Sequence, residues 1–106
     1  MTDAELIAFA AEFRAGLLDG KPSDFMCATV CMPLAGLLGC YGIEAEVIEG
    51  DLGEMNHCWL LLADGRVLDP TADQFNSYGF EPLPPVYLGP AKAIHPRKSP
   101  TPAEKA

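Results

Sequence analysis

The chain has 106 residues, 49% of them hydrophobic and 21% charged, which predicts one globular domain and excludes a wholly disordered chain. Its formal charge of -8 repels phosphate backbones, so nucleic acid is excluded as an expected partner and a neutral or cationic peptide is favoured. The sequence shows neither a signal peptide nor an apolar stretch long enough to span a bilayer. We therefore expect a cytoplasmic protein that does not bind membranes.

The first predicted helix covers residues 3–18. Thr2 and Glu5 have the spacing of a capping box, in which each side chain bonds to the backbone amide of the other residue. Apolar residues then recur at helical spacing until Gly20 and Pro22, which predict the end of the helix.

A second helix is predicted to begin after Ser23 or Asp24, either of which can cap it, and to end at Gly39 or Gly42. Its apolar stripe comprises Cys27, Cys31, Leu34 and Leu38. Pro33 lies inside this helix and is expected to kink it, because proline has no backbone N–H to donate.

Three strands are predicted next. Residues 43–50 alternate between apolar and acidic positions, as in a half-buried strand, and residues 57–63 are apolar on both faces, as in a central strand. The dipeptide at 64–65 is a hairpin signal, and residues 66–69 form the return strand. The pattern predicts an α+β fold in which N-terminal helices pack on a small antiparallel sheet.

The length of the hairpin loop decides which residue faces His57. A two-residue loop would pair Asp69 with Leu60, on the face opposite His57. A three-residue loop, 63–65, with its glycine in the left-handed conformation would pair Asp69 with Trp59 and bring it to the same face as His57. A pairing of Asp69 with His57 therefore requires the longer loop.

The C-terminal part changes in character. Residues 70–78 are expected to form an ordered loop, and the proline-rich residues 81–90 an extended segment along the domain edge. Residues 95–106 have the composition of a disordered tail. We expect a single domain over residues 1–94, with its core at 24–75.

Three residues are candidates for catalysis. Cys27 lies in the first turn of a helix, where the helix dipole favours the thiolate, although a buried structural cysteine is the alternative. His57 opens the central strand, as a general base or as a structural histidine. Asp69 is the candidate acid that orients His57, or else a cap or turn residue before Pro70. Asp73 is the reserve candidate for the orienting acid.

The remaining cysteines are assigned structural positions. Cys31 and Cys40 are expected in the core or at its boundary, and Cys58 should face away from His57 and not share its site. The four cysteines are expected to be free thiols because a cytoplasmic location is expected. They lack paired C-x-x-C spacing, so no metal or cofactor is assigned. A metal or redox site using Cys27, Cys31 and His57 is a further alternative.

Three segments together resemble the transglutaminase-like, papain-related cysteine enzymes, over about residues 24–75. The first is the helix that begins at Cys27 and leads into Gly-Ile-Glu-Ala at 42–45, and the second is His-Cys-Trp at 57–59. The third is Asp-Gly-Arg-Val-Leu-Asp-Pro-Thr at 64–71. Their order and spacing match the passages of this family that carry its nucleophile, base and acid.

The resemblance implies a cysteine-proteinase core with Cys27 as nucleophile, His57 as base and Asp69 as orienting acid. It implies acyl transfer on an amide of a peptide or protein, by proteolysis, deamidation or transamidation. The family's glutamine before the nucleophile is missing here, so Asn56, Gln74 or backbone amides are considered as substitute oxyanion donors. The alternative is a catalytically inactive binding module of the same fold.

Overall fold

The computed structural model describes residues 1–21, 26–52 and 56–96. Helices α1 (Asp3–Leu18) and α2 (Cys27–Cys40) precede strands β1 (Ala45–Asp51), β2 (Asn56–Leu62) and β3 (Val67–Asp69). A 3-10 helix (Ala72–Tyr78) and strand β4 (Tyr87–Gly89) follow. The two helices pack on a four-stranded antiparallel sheet of order β1-β2-β3-β4, which confirms the predicted α+β class.

Helix α1 has the predicted bounds. The Thr2 hydroxyl accepts from the Glu5 amide at 3.1 Å, and the Glu5 carboxylate accepts from the Thr2 amide at 3.0 Å. These bonds satisfy amides that have no partner inside the helix. In the described part of the chain, no helix is long and apolar enough to cross a bilayer.

Helix α2 begins at Cys27 and runs through Pro33 to Cys40. Pro33 is exposed, so its ring projects away from the sheet. The predicted caps Ser23 and Asp24 lie outside the described residues. The buried stripe of the helix consists of Cys27, Val30, Cys31, Leu34 and Leu38. This stripe packs on β1 and β2, and it sets the first turn of α2 beside the start of β2.

The hairpin between β2 and β3 has the three-residue loop. The Leu62 amide donates to the Arg66 carbonyl at 2.9 Å, and the Gly65 amide donates to the Leu62 carbonyl at 3.0 Å. Gly65 has a φ of 89°, a left-handed conformation that glycine adopts without strain. The register that pairs Leu60 with Leu68 places Asp69 opposite Trp59, as the longer loop requires.

The sheet has a different core on each face. On the helical face lie Leu6, Ala10, Cys31, Leu34, Leu38, Leu60, Leu62, Leu68 and Val86. A second cluster of Ala72, Phe75, Leu83 and Ile94 is built by the C-terminal part of the chain. Side chains alternate along β2, so His57 and Trp59 point away from the helical core, and the Phe75 ring meets the His57 ring there.

The C-terminal part is more ordered than its composition predicts. The segment 81–90, predicted to be extended, contributes β4, which pairs with β3 at the sheet edge. His95 was assigned to a disordered tail, but it is 4% exposed and lies in the second core. That assignment is wrong for His95, because non-local packing orders it. Residues 97–106 lie outside the described residues.

Candidate active site

Asp69 ends β3 and is completely buried. Its Oδ2 accepts from His57 Nε2 at 2.6 Å and from His95 Nε2 at 2.7 Å, and its Oδ1 accepts from the Thr71 amide at 3.0 Å. Burial by itself would raise the pKa of the carboxyl, but hydrogen bonds from His57 and His95 lower it below its usual value. The carboxylate is therefore held ionised inside the protein.

His57, on β2, is also completely buried. Phe75 meets its ring edge to face at a centroid distance of 4.9 Å, and Trp59 lies at 5.6 Å. Burial would lower the imidazole pKa, but hydrogen bonds with Asp69 and Cys27 raise it to about 9. Because Nε2 is bonded to Asp69, Nδ1 is the ring nitrogen left for the Cys27 thiol, and Gln74 Nε2 also lies 3.1 Å from this Nδ1.

Cys27 is the first residue of α2 and is 9% exposed. Burial favours its neutral thiol, but hydrogen bonds with His57 and with the Cys58 backbone lower the thiol pKa below its usual value. The structure thus brings together Cys27, His57 and Asp69, the three residues selected from the sequence. The arrangement can hold a thiolate beside a protonated imidazole.

The end of the β2–β3 ladder explains why α2 meets β2 at this point. The Leu62 amide bonds to the Arg66 carbonyl across the hairpin. Every second residue of β2, including Cys58, therefore directs its backbone N–H and C=O toward the β3 side. Pro70 would face Cys58 but has no N–H, so β3 stops at Asp69. The Cys58 carbonyl instead accepts a hydrogen bond from the Cys31 thiol at 3.4 Å, and the Cys58 backbone amide hydrogen bonds with the Cys27 sulfur.

Cys31 and Cys58 have a different electrostatic environment from Cys27. Burial raises the pKa of the Cys31 thiol well above its usual value, and burial together with Cys27 raises that of Cys58 to about 12. Cys58 faces the helical side of the sheet as predicted, yet its side chain hydrogen bonds with Cys27. It therefore borders the site, and the expectation that it lies apart from the site is wrong.

His95 is the residue that sequence reasoning missed. Its Nδ1 accepts from the Lys92 amide at 2.9 Å, and its Nε2 reaches Asp69. The Tyr87 ring stacks on the imidazole at 5.8 Å, and Trp59 meets it at 5.2 Å. The available signal was that the chain has only two histidines, one of them in the proline-rich C-terminal part.

The reserve candidates have separate positions. Asp73 forms an ion pair with Arg14 of α1 at 2.9 Å. Gln74 is 5% exposed, and its Nε2 lies 3.1 Å from His57 Nδ1 and 2.8 Å from the Thr71 hydroxyl. Asn56 is exposed at the start of β2. Of the two side chains suggested as oxyanion donors, Gln74 is the one inside the site.

A metal could in principle be held by His57, Asp69 and His95, whose ligand atoms lie within 4.8 Å of one another. A ligating histidine usually donates its other ring N–H to an acceptor. His95 Nδ1 instead faces a donor, the Lys92 amide, so its proton is on Nε2 and blocks that lone pair. These residues do not fit a metal.

The alternative metal set is no better suited. It requires Cys31 as a thiolate, whereas this thiol donates to the Cys58 carbonyl and burial keeps its pKa high. The described cysteines are all free thiols.

No family model, curated protein or solved structure matches this chain.

Proposed function

We propose that this chain is a cysteine-dependent acyl-transfer enzyme acting on an amide, through a triad of Cys27, His57 and Asp69. The observation that carries the proposal is the position of His57, bonded to a buried carboxylate through Nε2 and hydrogen bonded with a thiol of lowered pKa. This arrangement suits an activated nucleophile and its base. A histidine with only a structural role would not require a hydrogen bond with the Cys27 thiol.

In the proposed reaction, the Cys27 thiolate attacks the amide carbonyl carbon, and the protonated His57 gives its proton to the leaving amine. The products of this half-reaction are a thioester and a free amine or ammonia. His57 then takes a proton from the acceptor, whose attack on the thioester releases Cys27. Water as acceptor gives hydrolysis or deamidation, and an amine gives cross-linking. Asp69 holds the imidazole and offsets its charge.

We also propose that the fold is a transglutaminase-like core. In support, a helix beginning at Cys27 packs on an antiparallel sheet, and the paired strands β2 and β3 carry His57 and Asp69. This is the order of elements expected from the resemblance. The acidic surface favours a neutral or cationic peptide or protein as substrate, and the reaction needs no cofactor. Free thiols suit the cytoplasm.

A second candidate function is a binding module without catalysis. Cys27 is only 9% exposed, and His57 and Asp69 are completely buried, so a substrate amide has little access to the thiol in this conformation. A module of this kind would keep the triad as a structural cluster. The two functions differ in whether a small reagent reaches the thiol as a thiolate.

The test is iodoacetamide labelling across pH 5 to 10, with mass spectrometry to locate the alkylated cysteine, on wild type and His57→Ala. Exposed Cys40 is the internal reference for accessibility. We expect Cys27 to react faster than Cys40 at pH 6 to 7, with an apparent pKa well below that of a free thiol. His57→Ala should abolish this advantage. Slow labelling of Cys27, with or without His57, would contradict catalysis and favour the binding module.

The acceptor is decided by a second assay on the same protein. A glutamine-containing peptide should release ammonia if the enzyme deamidates, yield shorter peptides if it cleaves, and incorporate a labelled amine if it cross-links. Cys27→Ser is the matched control, because it removes the nucleophile and keeps a hydroxyl in its place. Equal turnover by Cys27→Ser would contradict the assigned nucleophile.

A further inference from the structure

His95 shares the buried carboxylate with His57. The two Nε2 atoms lie 2.7 Å and 2.6 Å from the same oxygen, Asp69 Oδ2. Both histidine side chains and the Asp69 side chain are completely inaccessible to solvent. A carboxylate oxygen that accepts two N–H groups without competition from water is strongly oriented by them.

The backbone fixes the direction of the His95 hydrogen bond. The Lys92 amide donates to His95 Nδ1 at 2.9 Å, so this nitrogen carries a lone pair. The proton of the neutral ring is therefore on Nε2, pointing at Asp69. The stacked Tyr87 ring and the edge contact with Trp59 hold the plane of the imidazole. His95 is thus a fixed donor to the carboxylate.

The ionised state of Asp69 matters for the proton on His57. An ionised carboxylate only accepts hydrogen bonds, so it keeps a proton on His57 Nε2. A protonated or rotated carboxyl would lose or reverse that bond, and the imidazolium would lose its partner. The Cys27 thiolate would then lose the positive charge that favours it.

We propose that His95 is a positioning residue: by donating its Nε2 hydrogen to Asp69 Oδ2, it keeps this oxygen in place as an acceptor and so supports the pairing of His57 with Cys27. The role in Cys27 activation rests on the proposed function, whereas the coupling of His95 to His57 through Asp69 does not. His95 does not touch the reacting atoms.

Other titratable groups surround this pair and define what the test must separate. They are His57 and Cys58 on β2, Cys27 and Cys31 on α2, and Tyr87 on β4. Arg14 of α1 donates to the carbonyl of the neighbouring Pro70 and pairs with Asp73. Labelling is resolved by residue, so the profile of Cys27 is read separately from those of the other thiols. Cys40 again supplies the exposed reference.

The test compares wild type, His95→Phe and His95→Gln. Phenylalanine keeps a ring against Tyr87 and removes the donor, whereas glutamine keeps an N–H able to reach Asp69. We expect His95→Phe to lower Cys27 labelling at pH 6.5 relative to Cys40, by up to about tenfold, which is the largest change that a rise of one unit in the Cys27 pKa produces. His95→Gln should recover most of the loss. An unchanged or enhanced Cys27 profile in His95→Phe would overturn the proposal.

Proton NMR gives a readout that does not depend on nucleophilicity. With two histidines in the chain, wild type should show two downfield Nε2–H resonances, from the two short bonds to Asp69. In His95→Phe one resonance disappears, and the remaining His57 resonance should move upfield as its bond lengthens. A His57 resonance that stays in place would overturn the proposal. Thermal unfolding of each variant reports whether it is folded.

Wild type alone also tests the proposal, should His95→Phe fail to fold. Nitrogen-15 shifts at pH 8 should show His95 protonated on Nε2 and unprotonated on Nδ1, and a proton on Nδ1 would overturn the inference. Unselective Cys27 labelling in wild type together with the expected NMR result would refute the proposed function and leave the His95–Asp69–His57 coupling supported. Selective Cys27 labelling in wild type that His95→Phe does not alter would support the proposed function and refute the positioning role of His95.

Discussion

At the scale of single residues, Asp69 organises the site because both oxygens of its carboxylate accept hydrogen bonds from N–H groups. Oδ2 faces His57 and His95, and Oδ1 faces the Thr71 amide. An ionised carboxylate suits this environment, since it offers acceptors on both oxygens and no hydrogen of its own. The charge is buried, but these donors replace the water that it loses.

Asp69→Asn should therefore be strongly destabilising. Whichever way the amide is turned, its NH₂ group faces either the Thr71 N–H or the two histidine N–H groups. We expect a loss of about 2–4 kcal/mol in the free energy of unfolding, as for other broken buried charge networks. Urea denaturation at pH 7 measures it.

Asp64→Asn is the matched control for Asp69→Asn. Asp64 is an exposed aspartate whose carboxylate accepts hydrogen bonds from Arg66, and water can replace that carboxylate as the acceptor in the variant. An equal loss of stability in both variants would contradict the special role of Asp69.

At the scale of elements, Gly50 of β1 leaves room for the Trp59 ring and for the chain at Pro96 to pack against the strand. Gly50 pairs with His57 across β1 and β2. A Cβ added to Gly50 would clash with the Trp59 ring and with the Pro96 carbonyl. The missing side chain allows Trp59 to lie against the strand, and it allows the chain just after His95 to approach the sheet.

Gly50→Ala should lower the free energy of unfolding by about 1–3 kcal/mol, because an added methyl group forces a packed ring and a backbone carbonyl to move. Gly36→Ala in α2 is the opposite control. No heavy atom lies within 4 Å of the Cβ added there, and alanine favours a helix over glycine by about 0.8–1.0 kcal/mol. Chemical denaturation of both variants should give changes of opposite sign, and a common sign would contradict this packing.

At the scale of the whole molecule, Arg14 ties α1 to the segments that surround the site. Its guanidinium donates to the Pro70 carbonyl at 3.1 Å, to the Pro85 carbonyl at 2.9 Å and to Asp73 at 2.9 Å. These contacts join the N-terminal helix to the end of β3 and to the chain before β4. A planar guanidinium can serve several acceptors at once, which an ammonium group does less well.

Arg14→Lys should lower the free energy of unfolding by about 1–2 kcal/mol, because the lysine ammonium cannot keep the bidentate pair with Asp73 together with both carbonyl contacts. Arg66→Lys is the control, since Arg66 makes exposed pairs with Asp3 and Asp64 and should change stability little. Urea denaturation of both variants would refute the prediction if Arg66→Lys proved the more harmful.

The pH dependence of stability also belongs to the whole molecule, since it compares the folded and unfolded chains. The raised pKa of His57 gives stability that is full below the unfolded value of about 6.5 and is lost as pH rises through about 9. The lowered pKa of Cys27 acts in the opposite direction, because the unfolded thiol holds its proton to higher pH. In wild type the two effects offset each other.

Cys27→Ser should expose the His57 contribution. We expect its free energy of unfolding to fall as pH rises above about 6.5, by at most about 1.4 kcal/mol per pH unit, because Asp69 still raises the His57 pKa. Denaturation at pH 6, 7, 8 and 9 measures the slope, and the Cys27→Ser, His57→Gln double variant supplies the baseline. A slope no steeper than that baseline would contradict the assignment.

The sequence by itself determined the features that depend on local chemistry. The capping box of Thr2 and Glu5 set the start of α1, and Gly65 permitted the three-residue loop whose register brings Asp69 to the face of His57. The apolar stripe of α2 placed Cys27 at the start of that helix. Each of these follows from residues close together in the chain.

The tertiary structure alone decided the rest, because it depends on groups far apart in sequence. His95 joins Asp69 across 26 residues, held there by Lys92 and by the Tyr87 ring. No local pattern indicates that bond, since proline-rich composition predicted a disordered tail. The position of Cys58 beside Cys27 likewise depends on where the β3 ladder ends, so strand alternation could not predict it.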